Sequence, residues 1–258
     1  MLRKRLIFSL IYSEEFFNQS RNFRLQRVGD LNWLENNYSF SKIAQSLDEL
    51  VIIDATRGQK NIKKFGKNIE GIVENVFIPI CAGGGIKSIE DAEFLFHSGA
   101  DKIIINTGVY EDPSLIKNLV RIYGSQSIVA SIDYKIAGNK QIIFINNGTK
   151  EIERDLDAYI SYVQDLGVGE IYLNSIDKDG TGFGYDLETI IKISSNIKIP
   201  LIIAGGAGNQ LHLLEGIKLS QVNAVATANL FNFIGDALIN ARKYLLNNNI
   251  NLANWKQL

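Results

Sequence analysis

The chain has 258 residues, 46% of them hydrophobic and 21% charged, with a formal net charge of −1. That length suits one α/β barrel and can bury a large core without disulfides. The near-zero charge excludes a general polyanion-binding surface but leaves room for a local phosphate site.

The opening Met1-Leu2-Arg3-Lys4-Arg5-Leu6-Ile7-Phe8 is basic, as in a signal peptide. Its apolar stretch is short, however, and Glu14-Glu15 follows with no small-residue cleavage site. It reads as a first strand, and the protein as cytoplasmic. No apolar run reaches the roughly 18 residues of a membrane span. Short β-branched runs then recur at 5–10, 49–54, 78–82, 102–106, 127–133, 170–175, 200–204 and 224–226. Amphipathic stretches lie between them, at 89–98, 113–123, 156–166 and 187–195, with apolar residues three and four apart. Strands alternating with helices imply a parallel sheet. An extra strand at 142–146 is expected to form part of a hairpin closed near Asn147-Gly148. Cys81, the one cysteine, sits in an apolar run and reads as core packing. His97 and His212 fall in helical patterns and read as surface or packing residues, so no metal and no cofactor is expected. The lysines Lys60, Lys63, Lys64 and Lys67 are placed on the loop after the second strand, as a solvated face that could screen an anionic substrate. Nucleic-acid binding has no further support.

The two halves of the chain repeat. Ile78-Pro79-Ile80-Cys81-Ala82-Gly83-Gly84 returns as Ile199-Pro200-Leu201-Ile202-Ile203-Ala204-Gly205-Gly206, offset by about 121 to 122 residues. Ser9-Leu10-Ile11-Tyr12 returns as Ser131-Ile132-Asp133-Tyr134, and residues 49–54 return as 170–175. Two halves of four strands predict an eight-stranded (βα)8 TIM barrel with a two-fold half-barrel repeat, one domain over 1–258. A doubly wound sheet would not predict matching halves. In a barrel the chemistry sits at the carboxyl ends of the strands.

Two glycine turns follow equivalent strands, Gly83-Gly84-Gly85 and Gly205-Gly206-Ala207-Gly208. Glycine lets backbone N–H groups approach a phosphate, and a following helix N-terminus favours the anion. A single such turn is as readily a strand-to-helix connection. Two turns in symmetric places are each paired with residues after the next strand, Asn106-Thr107 and Ala228-Asn229, and this points to binding. Asp179-Gly180-Thr181-Gly182 adds a turn near the second site. The candidate phosphate ligands are therefore Gly84, Gly85, Asn106, Thr107, Asp179, Gly180, Gly205, Gly206, Ala228 and Asn229. Two opposed sites suit a substrate phosphorylated at both ends.

The strings at 81–86, 100–107, 175–186 and 204–209 carry a specific resemblance. The chain resembles the cyclase subunit of imidazole glycerol phosphate synthase, the HisF family, over almost its whole length. The resemblance implies a HisH-like glutaminase subunit as heterodimer partner. Ammonia from that partner crosses the barrel to a bisphosphorylated ribulosyl substrate. It implies an entrance ring of four charges, here Arg5, Glu49, Lys102 and Glu170, all at strand starts. A purely structural ring closing the barrel bottom is the competing reading. Asp101 and Gln126 match positions facing the glutaminase.

The family's acid–base chemistry uses an aspartate ending the first strand and another ending the fifth. The fifth is Asp133, but the first position holds Ile11. Glu14 and Glu15 lie out on a loop. Gln19 replaces a loop lysine of the family, and Ala204 and Asn229 replace serines of the second phosphate site. Asp54 and Thr56 persist. Three readings stay open. The first is a divergent paralogue of surface-polysaccharide loci. It would deliver ammonia, with a third, ATP-using amidotransferase, for acetamidino-sugar formation. The second is a genuine cyclase of histidine biosynthesis. The third is a non-enzymatic scaffold that stimulates a glutaminase.

Overall fold

The computed structural model describes residues 3–39, 42, 46–138 and 140–253. Met1 and Leu2, part of the basic opening, lie outside the described residues. Eight parallel strands form the wall: β1 (Arg5–Ser13), β4 (Glu49–Asp54), β5 (Ile80–Gly83), β6 (Lys102–Ile105), β7 (Ile128–Ala137), β10 (Glu170–Ser175), β11 (Leu201–Ala204) and β12 (Val222–Thr227). Each pairs with the next in that order, and β12 pairs with β1 in parallel, so the sheet closes. This is a TIM barrel.

Two of the strands run past the wall into antiparallel excursions. From β1 the chain turns into β2 (Phe16–Arg21) and β3 (Arg24–Gly29). From β7 it turns into β8 (Lys140–Ile145) and β9 (Lys150–Ile152). The second is the hairpin expected around Asn147-Gly148. The first was not legible, because it lacks clear apolar alternation and turns at Glu14 and Glu15, two non-glycine residues with positive φ.

Outside the barrel lie α1 (Leu31–Tyr38), α2 (Ile62–Val73), α3 (Ile89–His97), α4 (Thr107–Glu111), α5 (Pro113–Tyr123), α6 (Leu156–Asp165), α7 (Leu187–Ile193), α8 (Gln210–Lys218) and α9 (Ala237–Asn247). Side chains satisfy the free N–H groups that begin most of them. Ser88 and Asp91 form a reciprocal capping box on α3, and Asp112 caps α5 ahead of Pro113. Asn61, Asp155, Asp186 and Asn209 cap α2, α6, α7 and α8. On α2, Phe65, Ile69 and Ile72 recur at helical spacing and are fully buried. This helix corrects one sequence expectation: Lys63, Lys64 and Lys67 stand on α2, not on a loop.

Strand alternation sorts the core into two bodies. Leu6, Phe8 and Leu10 of β1 face outward to the helices, within the larger cluster. Ile7 faces inward, with Val51, Cys81, Ile104, Val129, Tyr172, Ile202, Ala204, Ala224 and Ala226. That inner plug fills the barrel between its two ends. The register also fixes which strand ends meet: Ile11 lies beside Ile53, and Asp133 beside Asn174. Among the described residues no helix is long and apolar enough to cross a membrane.

Candidate functional site

At the amino-terminal end, the first residues of β1, β4, β6 and β10 are the four charges singled out in the sequence. They close into a ring of alternating sign. Arg5 reaches Glu49 at 2.5 Å and Glu170 at 3.1 Å, and Lys102 reaches each of the same carboxylates at 3.0 Å. Glu49 is the most deeply buried, at 1% exposed, and its Oε1 has no hydrogen-bond partner among the described residues. Burial raises its pKa against the pull of Arg5 and Lys102. Burial works the other way on Arg5 and Lys102, but the two carboxylates outweigh it and keep both cations charged. Beside the ring, Asp101 and Gln126 are exposed. The Asp101 carboxylate also accepts the Ile80 N–H at 2.8 Å, so it fixes the start of β5.

At the carboxyl ends of the strands lies a cavity of about 840 Å³. Both glycine turns line it, as do Asp133 and Ile11. Asp133, on β7, is 8% exposed. Burial pushes its carboxyl up to about 7, opposed by the Asn174 amide, which donates to Oδ1 at 3.3 Å, and helped slightly by the charge of Asp179. A carboxyl poised there can hold or take a proton near neutral pH. Ile11 contributes only hydrocarbon. Glu14 and Glu15 do not line the cavity, and Glu15 pairs outward with Lys64.

The phosphate candidates are brought together in two groups. Gly84 and Gly85 meet Asn106 and Thr107 on one side, and Gly205 and Gly206 meet Ala228 and Asn229 on the other. A side chain at Gly84, where φ is +116°, would strike the Asp54 carbonyl at 2.2 Å; at Gly206 (φ +111°) it would strike the Gly184 carbonyl at 2.0 Å. Close backbone approach between neighbouring turns thus explains these glycines with or without a ligand. Asn106 donates to the Ser131 carbonyl at 3.1 Å, and the Thr107 hydroxyl accepts the Asn146 N–H at 3.0 Å. Asp179 lines the cavity, but its carboxylate accepts from Ser20 Oγ at 2.5 Å and the Phe23 N–H at 3.1 Å. It latches the β2–β3 hairpin over the mouth, and Gly180 gives that hairpin room, since a Cβ there would meet the Ser20 carbonyl. Asp54 accepts the Thr56 N–H at 2.8 Å, and Gln19 accepts the Leu230 N–H at 2.8 Å, joining the first and last loops.

Several other residues line the cavity, of which the sequence marks only the turn at Asn147 and, as a lysine that could screen an anion, Lys60. Asn146 and Asn147 both have φ of +55° and form the turn between β8 and β9. Asn147 donates to the Ala55 and Thr56 carbonyls, roofing the cavity. Their only trace was the Asn-Gly turn at 147–148. On the floor, where the cavity meets the inner plug at Ile104, Tyr172, Ala204 and Ala226, Tyr172 bonds Ser9 through their hydroxyls at 3.0 Å. Arg57, Lys60 and Lys87 also line the wall. His97 and His212 lie apart, on α3 and α8, and His212 Nδ1 accepts the Gly208 N–H. The described residues contain no cluster of three metal-ligating side chains.

Comparison with known proteins identifies the family. The family model described as "Histidine biosynthesis protein" matches residues 35–235. The chain belongs to the HisF family. It is 43% identical over 259 residues to a protein of Parasynechococcus marenigrum provisionally named imidazole glycerol phosphate synthase subunit hisF2, covering all of this chain and 96% of the relative. It is 37% identical to imidazole glycerol phosphate synthase subunit HisF of Chlorobium phaeobacteroides, over 95% of this chain and 96% of that one. The HisF subunit of Pyrobaculum aerophilum is 36% identical over 87% of each chain.

Proposed function

We propose that this HisF-family barrel takes glutamine-derived ammonia from a glutaminase partner at its amino-terminal face. It passes the ammonia to a phosphorylated acceptor in the cavity, and that acceptor is not the histidine precursor. The observation that carries the reading is the pairing of a closed ionic ring with a cavity that holds Asp133 but has Ile11 at the matching end of β1. Asp101 and Gln126, exposed beside the ring, belong to the docking face. Above the ring, ammonia would pass the small inner side chains Cys81, Ala224 and Ala226, then the hydroxyls of Ser9 and Tyr172. Gly84, Gly85 and Thr107 would hold the acceptor's phosphate, and Asp133 would manage its proton. Within this reading the half-barrel correspondence of Ile11 and Asp133 marks a loss of one of two acid–base groups. The acceptor chemistry is amination of a surface-polysaccharide sugar, acetamido to acetamidino, with a third, ATP-using amidotransferase.

The names of the relatives favour a second reading, a cyclase that forms imidazole glycerol phosphate with Asp133 alone. Loss of one acid–base group lowers such a rate by about 10²–10⁴-fold. Turnover of the bisphosphorylated ribulosyl substrate with ammonium salt separates the two, comparing wild type with Ile11→Asp. An inert wild type and a gain in Ile11→Asp support the repurposed barrel. A wild type that turns over at a normal enzymatic rate refutes it.

A further inference from the structure

All the lysine and arginine side chains that line the cavity stand at one end of it. Arg57 and Lys60 come from the loop between β4 and α2, and Lys87 from the turn between β5 and α3. They surround the first glycine turn. The Lys60 stem packs so closely on Gly85 that a Cβ there would lie 2.4 Å from Lys60 Cδ. The other end, around Gly205, Gly206, Ala228 and Asn229, has no cationic side chain among the described lining residues, although the Lys178 stem stands behind Gly206, where a Cβ would lie 3.1 Å from Lys178 Cβ.

Asp54, Asp91, Glu111 and Asp112 line the same cavity, but only Asp54 comes within ion-pair range of one of these three cations. Asp91 uses its carboxylate on the Lys87 and Ser88 N–H groups. Glu111 pairs with Lys150, and Asp112 caps α5. Asp54 stands 3.9 Å from Lys60 Nζ. Arg57 and Lys87 form no ion pair among the described residues; Arg57 donates to the Phe23 carbonyl at 3.2 Å, beneath the β2–β3 hairpin. The Lys60 side chain is only 20% exposed. Burial, with a smaller contribution from the charge of Lys87, lowers its pKa despite Asp54. Lys60 is half-buried while Arg57 and Lys87 are exposed, and cations gathered at one end of a cavity attract an anion between them. One phosphate on the glycine turn is already served by backbone N–H groups and Thr107. Of the three cations beside it, Arg57 and Lys87 have no ion-pair partner among the described residues and are open to a second phosphoryl group.

We infer that this end of the cavity binds a diphosphate, one phosphoryl group on Gly84, Gly85 and Thr107 and the adjoining one between Lys60 and Lys87, under Arg57. The inference rests on the phosphate-site reading above and deepens it. The acceptor carries its charge at one end, unlike a substrate with a single phosphate at each end.

Titration calorimetry of the full chain with inorganic phosphate and with inorganic pyrophosphate tests this. Pyrophosphate is expected to bind wild type about tenfold more tightly or better, and Lys60→Gln and Lys87→Gln each to weaken it about tenfold, the effect of one charge-assisted bond. Phosphate affinity should change far less. Lys87 is exposed, so Lys87→Gln is informative even if Lys60→Gln folds poorly. Equal affinities for the two anions in wild type overturn the inference, as does a pyrophosphate preference that survives the double variant. If phosphate binds and pyrophosphate gains nothing, the diphosphate inference alone fails. If neither anion binds, the phosphate-site reading fails with it.

Discussion

Asp133→Asn should make the protein more stable, and by an amount that grows with pH. Burial lifts the Asp133 carboxyl from an ordinary 3.8 to about 7 in the folded barrel. Because the folded value lies above the unfolded one, the group favours folding most when both states are protonated, below about pH 4. That contribution falls as pH rises and is lost once the folded carboxyl ionises, through about pH 7. A shift of roughly three units corresponds to about 4 kcal/mol of differential stability when integrated to alkaline pH. Between about pH 5 and about pH 8 the change is about 2–3 kcal/mol. Asparagine cannot ionise, yet keeps an oxygen for the Asn174 amide. Urea unfolding of both proteins at the two pH values measures the difference directly, and only the change in the gap between them matters. A gap that does not move with pH would refute the claim that Asp133 is held protonated by burial. The stability that wild type forgoes above neutrality is then the cost of a carboxyl poised for proton transfer.

Three further outcomes follow from the same geometry. Arg242 of α9 binds Asp48 through both guanidinium nitrogens at 2.9 Å, and both residues are buried. Arg242→Met strands a buried carboxylate and should cost about 3–5 kcal/mol, read as a melting point lower by roughly 6–20 °C. Cys81 is 1% exposed and its thiol pKa is raised by burial, so a thiol reagent should label it only as fast as the barrel unfolds. Replacing the ring with apolar residues (Arg5→Met, Glu49→Leu, Lys102→Met and Glu170→Leu together) should leave stability unchanged or raise it by about 1–4 kcal/mol in urea unfolding. A loss of several kcal/mol in that variant would make the ring structural.

The barrel was legible because its signal is repeated eight times. Glu49–Asp54 and Glu170–Ser175 match the observed strands at both ends, since each is a short apolar run, β-branched in the first and centred on Ile171, Tyr172 and Leu173 in the second, bounded by polar residues. Pro113–Tyr123 matches too, bracketed by an aspartate cap and a glycine. The strand ends placed Asp133 and Ile11 in one cavity. The lids were not legible. The hairpin from β1 has a short, mostly polar second strand and turns on two glutamates, which composition does not mark. The lysine run after β4 read as one solvated face. Helix α2 in fact divides it, turning Lys60 into the cavity wall and Lys64 outward to Glu15. No local pattern tells which lysine of four will face inward, because that depends on where the helix cap at Asn61 falls.

The ring raises a question that the rest of the amino-terminal end helps to answer. Other contacts also close that end. Arg242 and Asp48 tie α9 to the start of β4, Asp48 also accepts the Leu6 N–H at 2.8 Å, and the Lys4 N–H binds the Asn251 carbonyl at 2.9 Å. These contacts lie on the outer side of the wall, where they join strand to helix. The ring lies on the inner side, directly below the apolar plug, at positions where isoleucine or leucine would pack without desolvating any charge. Four alternating charges there are a poor way to gain stability, as the unpartnered Oε1 of Glu49 shows. That is in keeping with the proposed entrance for ammonia rather than with a purely structural ring. The same end that is closed by α9 on the outside is left polar on the inside, on the axis that leads to Asp133.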